Sequence, residues 1–198
     1  MKTITRIIPP GLITFRFLLG PILLIDAFDG HTGILFGISL IAALMSDIFD
    51  GVIARRIGTA TARLRELDSW VDGWFCLCVA ACAWFAHRET VIAFAPLIIA
   101  WFATDLLALL FDWIKFRRFA SYHAYSSKLA GLLLFIAIFI LFTFHVNNFI
   151  LTLALIVAIV SHLERMLITA VMPCWTPDVA GFWKAVKLRK IDDAHNNY

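Results

Sequence analysis

An all-α, polytopic membrane protein is the fold class the sequence predicts, and three observations predict it. The chain is 62 % hydrophobic and 16 % charged, whereas soluble domains lie near roughly 45–50 % and about 25 %. Its mean hydropathy is +0.87. Six apolar runs, each near the roughly 20 residues a spanning helix requires, take up most of the 198 residues. The remainder suffices for short loops and two polar ends. The expected architecture is therefore one domain over 1–198, with six transmembrane helices, a short N-terminal segment and an amphipathic tail at 174–198.

The runs fall at about 12–28, 32–50, 69–86, 90–114, 129–146 and 149–171. The first follows a basic start, Met1 to Arg6, but Arg16 and Pro21 interrupt it and no small-x-small cleavage site follows. It reads as a retained span rather than a signal peptide. The second ends in acids and the third opens with them. The fourth carries Asp105 and Asp112 on one helical face; Asp105 is either functional, as intramembrane acids are by default, or paired with Arg16. The fifth begins at Ser126-Ser-Lys-Leu-Ala-Gly131. The sixth ends with His162, Glu164 and Arg165, which either make a polar contact between helices, the favoured reading, or line the acceptor cavity. The tail mixes Phe182, Trp183, Val186 and Leu188 with basic residues, a pattern suited to anionic lipid or to solvent.

Charge sets the orientation. Lys2 and Arg6 precede the first span. Arg55, Arg56, Arg63 and Arg65 lie between the second and third, Lys115, Arg117, Arg118 and Lys128 between the fourth and fifth, and Lys184, Lys187, Arg189 and Lys190 after the sixth. The opposite loops hold Arg88. By the positive-inside rule both termini are cytoplasmic, in an inner or plasma membrane of bacterial type. Trp70, Trp84, Trp113 and Trp175 fall near span ends, as an interfacial belt requires. Cys76, Cys78 and Cys82 share one apolar stretch and read as small packing residues. His31, His87 and His145 fall in outer loops or at span ends, where solvation is expected, and His123 falls in a basic loop.

The costly residues are acidic. The second run ends Ser46-Asp-Ile-Phe-Asp-Gly-Val-Ile-Ala-Arg55, and the third opens Leu64-Arg-Glu-Leu-Asp-Ser-Trp-Val-Asp72. At about 100° per residue, Asp50, Gly51 and Ala54 lie roughly −60°, +40° and −20° from Asp47, and Asp72 lies roughly 40° from Asp68. Two antiparallel neighbours joined by a short basic loop would bring these carboxylates together at the membrane boundary. Four such groups cannot all remain ionised in a partly desolvated site. Either some take up protons or cations neutralise them. Oxygen ligands favour Mg²⁺, Mn²⁺ or Ca²⁺ over zinc, and two divalent ions would balance four charges. Two metals also stabilise in-line displacement at phosphorus. Gly51 and Ala54 leave one side of the face nearly bare, and Arg55 adds a phosphate fork. A proton relay or cation pathway in a small transporter is the competing reading.

The ordered set Asp47-x-x-Asp50-Gly51-x-x-Ala54-Arg55, followed by Asp68-x-x-x-Asp72, resembles the signature of the CDP-alcohol phosphotransferase (CDP-alcohol phosphatidyltransferase) family. Seven of its eight fixed positions match, and Leu64 stands where the family has Gly. Pro9, Arg16 and Pro21 resemble the start of many members. The resemblance implies a six-helix, usually homodimeric membrane enzyme whose site opens to the cytoplasm. It would move the substituted phosphate of CDP-diacylglycerol onto an alcohol, releasing CMP. It further implies metal ligation, by Mg²⁺ or Mn²⁺ with two ions expected, at Asp47, Asp50, Asp68 and Asp72, with Asp72 also the general base. Asp47, Gly51, Ala54 and Arg55 would face the nucleotide. Leu64, on the face of Asp68, would narrow the donor pocket. Lys128 stands where members acting on phosphorylated alcohols often carry Lys, which with Arg118 favours glycerol 3-phosphate over serine or an inositol derivative. No nucleic-acid partner is expected. A transporter and a non-catalytic membrane scaffold are the readings from other classes.

Overall fold

The computed structural model describes residues 2–57, 62–118, 122, 125–146, 149–176, 179 and 181–195, the side chains at 2–9, 50–51, 54–57, 62–66, 69 and 190–195 excepted. Among the described residues the chain is all-helical: α1 (Lys2–Ala27), α2 (Ile34–Ile57), α3 (Ala62–Ala86), α4 (Arg88–Phe116), α5 (Tyr125–Phe144), α6 (Phe149–Val171) and α7 (Phe182–His195). Four are long and apolar enough to cross a membrane: α1 over Pro10–Ala27, then α4, α5 and α6. The apolar parts of α2 and α3, Ile34–Phe49 and Trp70–Ala86, are shorter. Acids cut them short at one end, yet the helices continue to 24 and 25 residues, roughly 36 Å at 1.5 Å per residue. The protein is an integral membrane protein.

Each apolar run became a helix, and the sixth keeps its expected bounds. The others are longer than expected, each running past at least one expected end, because a helix outlasts its apolar face; α1 begins at Lys2, which absorbs the short N-terminal segment expected before it.

Two compact units divide the chain, one of residues 1–92 and 139–146, the other of 93–138 and 147–198. In the first, α1 packs against both α2 and α3. Small residues make this possible. A Cβ on Gly20 of α1 would meet Cys78 Sγ of α3 at 3.0 Å, the close approach that small residues permit between membrane helices. Cys78 and Cys82 are buried and unbridged, as packing residues should be. Phe36 of α2 stacks on Phe142 at 4.4 Å between ring centroids. The α1–α2 turn is tied down by Thr32, whose hydroxyl donates to the Phe142 carbonyl at 2.9 Å and whose own carbonyl lies 2.7 Å from His145 Nε2. His87 packs edge-on to Phe142 and lies 5.3 Å from the His145 ring. His87 is thus half-buried in an aromatic cluster, correcting the expectation of simple solvation.

In the second unit, Leu151 and Leu155 of α6 and Ala137 of α5 form a core covered by Phe94, Leu97, Ile98 and Trp101. A further core joins Ile168 and Met172 to Val179 and Ala185, with Phe182 and Leu188 packed on it. The apolar residues of α7 therefore lie against the end of α6, while Trp183 remains exposed. Glu164 anchors this joint. Its Oε1 accepts the Phe182 N–H at 3.1 Å at the start of α7, where an orphan backbone donor and the helix dipole both favour a carboxylate.

Candidate active site

Three of the four acids picked out in the sequence, Asp47, Asp68 and Asp72, lie together. Asp47 comes from just past the middle of α2, and Asp68 and Asp72 lie one turn apart on one face of α3. One carboxylate oxygen from each lies within 4.8 Å of the others. These two helices reach the same point because both pack on α1, which delivers Arg16 between them. The Arg16 guanidinium donates from Nη1 to Asp47 Oδ1 at 2.9 Å and to Asp72 Oδ1, and from Nη2 to Asp68 Oδ1 at 3.3 Å. Its side chain is 2 % exposed, whereas those of Asp47, Asp68 and Asp72 are 43, 30 and 45 % exposed. The cation is inside and the acids keep an open side.

Burial raises the carboxyl pKa of Asp68, which precedes the apolar stretch of α3; Arg16 opposes that rise and Asp47 adds to it. The trio therefore has room for further positive charge. Asp50, Gly51, Ala54 and Arg55 belong to α2 and Leu64 to α3, but their side chains lie outside the described residues, and His123 lies outside them altogether.

Sequence reasoning missed the place of Arg16. The available signal was a lone cation within an apolar run, which must find an acid; acids lie on five other helices. Asp105 is not that partner. It lies 3.8 Å from Arg165 and 3.6 Å from His162, because its neighbours are residues of α6. Arg165 also binds Asp112, which has no exposed surface and accepts the Thr169 hydroxyl at 2.6 Å. His162 Nδ1 lies 3.2 Å from the Thr104 hydroxyl, and Ser126 donates to Glu164. The expected helix-to-helix contacts of His162, Glu164 and Arg165 are all present.

Beside this network is a cavity of about 330 Å³, lined by Trp101, Tyr122, Ser127, Gly131, Ser161, His162 and Arg165 among others. Arg118 and Lys128 do not belong to that lining. Both are exposed, with Arg118 over the Trp175 ring at 5.7 Å and Lys128 over Tyr125 at 5.8 Å.

An all-helical membrane protein with three converging carboxylates at the polar end of two helices belongs to the class of integral membrane proteins with a candidate cation site. Residues 6–160 match the model of the CDP-alcohol phosphatidyltransferase family, and the chain belongs to that family. No curated protein and no solved structure matches it. Members transfer a phosphatidyl group from a CDP-alcohol to an alcohol in phospholipid biosynthesis, and they generally use a divalent metal. The trio fits such an ion: its donors are hard oxygens, they are close enough to share one cation, and they already surround one.

Proposed function

We propose that this protein transfers the phosphatidyl group of CDP-diacylglycerol to the hydroxyl of an alcohol, with release of CMP. The convergence of Asp47, Asp68 and Asp72 within 4.8 Å carries the reading. With Asp50, these residues would hold one or two Mg²⁺ or Mn²⁺ ions. Bound there, the ions would offset the charge of the diphosphate and stabilise CMP as a leaving group. Asp47, Gly51, Ala54 and Arg55 hold the nucleotide, Arg55 through its planar fork. Asp72 takes the proton of the acceptor hydroxyl. The acceptor oxygen then bonds to the lipid-bearing phosphorus, and the bond from that phosphorus to the bridging oxygen breaks, its electron pair leaving with CMP. The acyl chains stay in the bilayer throughout. The basic loops support a cytoplasmic site in a protein with both termini inside, and the family resemblance supports six spans and a homodimer.

Glycerol 3-phosphate is the first acceptor to test, on the strength of Lys128 and Arg118. Serine or an inositol derivative is the alternative acceptor class. The test is to incubate detergent-purified protein with CDP-diacylglycerol, Mg²⁺ and a panel of alcohols, and to measure CMP together with lipid products. CMP formed in step with one new phospholipid supports the proposal. Ion or proton flux across vesicles without CMP release would replace it with the transporter reading, and neither activity would leave a scaffold.

A further inference from the structure

Among the described residues of the first unit Arg16 is the best-buried charge, and the reaction described above gives it no task. Asp47, Asp68 and Asp72, which it holds from another helix, are the described members of the proposed metal-ligand set. Charge arithmetic makes the coincidence consequential. Three carboxylates and one guanidinium sum to −2, so a divalent ion is attracted to the group. That ion, however, would draw on the same three carboxylates, each of which Arg16 holds by its Oδ1, and it would stand near the guanidinium with like charge.

We infer that Arg16 is a resident counter-ion of the Asp47–Asp68–Asp72 trio, and that the guanidinium and a divalent cation compete for the same carboxylate oxygens. Without metal, Arg16 holds the acids together and keeps α1, α2 and α3 closed around them. When metal binds, the Arg16 hydrogen bonds to the ligating oxygens are given up. Part of the intrinsic metal affinity is therefore spent on displacing a cation the protein itself supplies, so the site exchanges metal readily and does not collapse when empty. Burial explains why the device persists: Arg16 sits on the protein side of the acids, whose exposed sides leave a route for the ion.

This inference rests on the reading of the trio as metal ligands, and the experiment separates the two. Mn²⁺ binding to the full-length, detergent-purified protein is titrated by electron paramagnetic resonance, without substrate, for wild type, Arg16→Gln, Arg16→Lys and Asp68→Asn. A charge-assisted hydrogen bond that no longer has to be broken corresponds to about tenfold or more in affinity. Arg16→Gln is accordingly expected to bind Mn²⁺ at least about tenfold tighter than wild type. In Arg16→Lys a single ammonium replaces a fork that spans three carboxylates, so this variant is expected to bind more tightly than wild type by a smaller factor. It carries the same test if Arg16→Gln does not purify folded. Melting curves add a second readout: the Arg16 variants melt below wild type in EDTA, and saturating Mn²⁺ narrows the gap. Mn²⁺ binding that needs Asp68 but is unchanged or weakened in both Arg16 variants overturns the inference alone. Absence of any Asp68-dependent Mn²⁺ binding overturns the metal-ligand reading and the inference with it.

Discussion

The Arg165 guanidinium donates two hydrogen bonds to a single oxygen of Asp112, at 2.9 Å from Nε and 2.5 Å from Nη2. Asp112 has no exposed surface, and its other oxygen accepts the Thr169 hydroxyl. This pair joins α4 to α6 in the second unit. Removing one partner leaves a buried charge uncompensated, at about 3–5 kcal/mol. Arg165→Met is expected to lose about that much stability in a denaturation series in detergent. The double variant Arg165→Met/Asp112→Asn should recover a large part of the loss. Equal losses in the single and double variants would show that the pair is not coupled.

Gly37 marks the corresponding tight point in the first unit. A Cβ there would collide with Thr143 Oγ1 and meet Phe139 Cε2 at 3.0 Å. Gly37 is buried, and so is Thr143, whose hydroxyl finds no hydrogen-bond partner. Gly37→Ala is predicted to destabilise by about 1–3 kcal/mol through overpacking. Adding Thr143→Ala, which removes the obstructing oxygen, should return most of the loss in the same denaturation measurement.

Asp72→Asn tests Asp72 as the base, with metal occupancy held at saturating Mg²⁺ because the residue is also a proposed ligand. The substitution keeps the size of the side chain and removes its basicity, so turnover should fall by about 10²–10⁴, while CDP-lipid binding, measured by equilibrium titration, changes little. Near-wild-type turnover would remove Asp72 from the role of base.

Leu64 interrupts the family motif at a Gly position. Leu64→Gly is predicted to open the donor pocket, tightening CDP-diacylglycerol binding or raising turnover several-fold in a radiolabelled transfer assay. Unchanged donor affinity and turnover would show that Leu64 does not shape this pocket.

Hydropathy and helical phase carried much of the fold. They foretold a helix for each apolar run, and the phase of Asp68 and Asp72 predicted a shared face. Composition could not tell where a helix stops once its apolar face has ended, so α1 and α3 start well before the expected positions. Phase arithmetic works within one helix and says nothing about which helices face each other. That is why Asp105 stood as one possible partner for Arg16, whereas α1 packs on α2 and α3 and delivers Arg16 to Asp47, Asp68 and Asp72. The same limit applies to Arg118 and Lys128. Their basic character is plain in the sequence, but their exposed placement over Trp175 and Tyr125 depends on tertiary packing. The Asp112–Arg165–Thr169 network was legible only as polar residues that had to find partners.

The central claim is that carboxylates gathered at the polar ends of α2 and α3 catalyse phosphatidyl transfer with a divalent ion among them. The most direct measurement is CMP release from CDP-diacylglycerol by the purified protein before chelation, after exhaustive EDTA treatment, and after Mg²⁺ or Mn²⁺ is restored, alongside Asp68→Asn. The account predicts activity that disappears on chelation, returns with the metal, and does not return in the variant. Undiminished CMP release after complete chelation would contradict it.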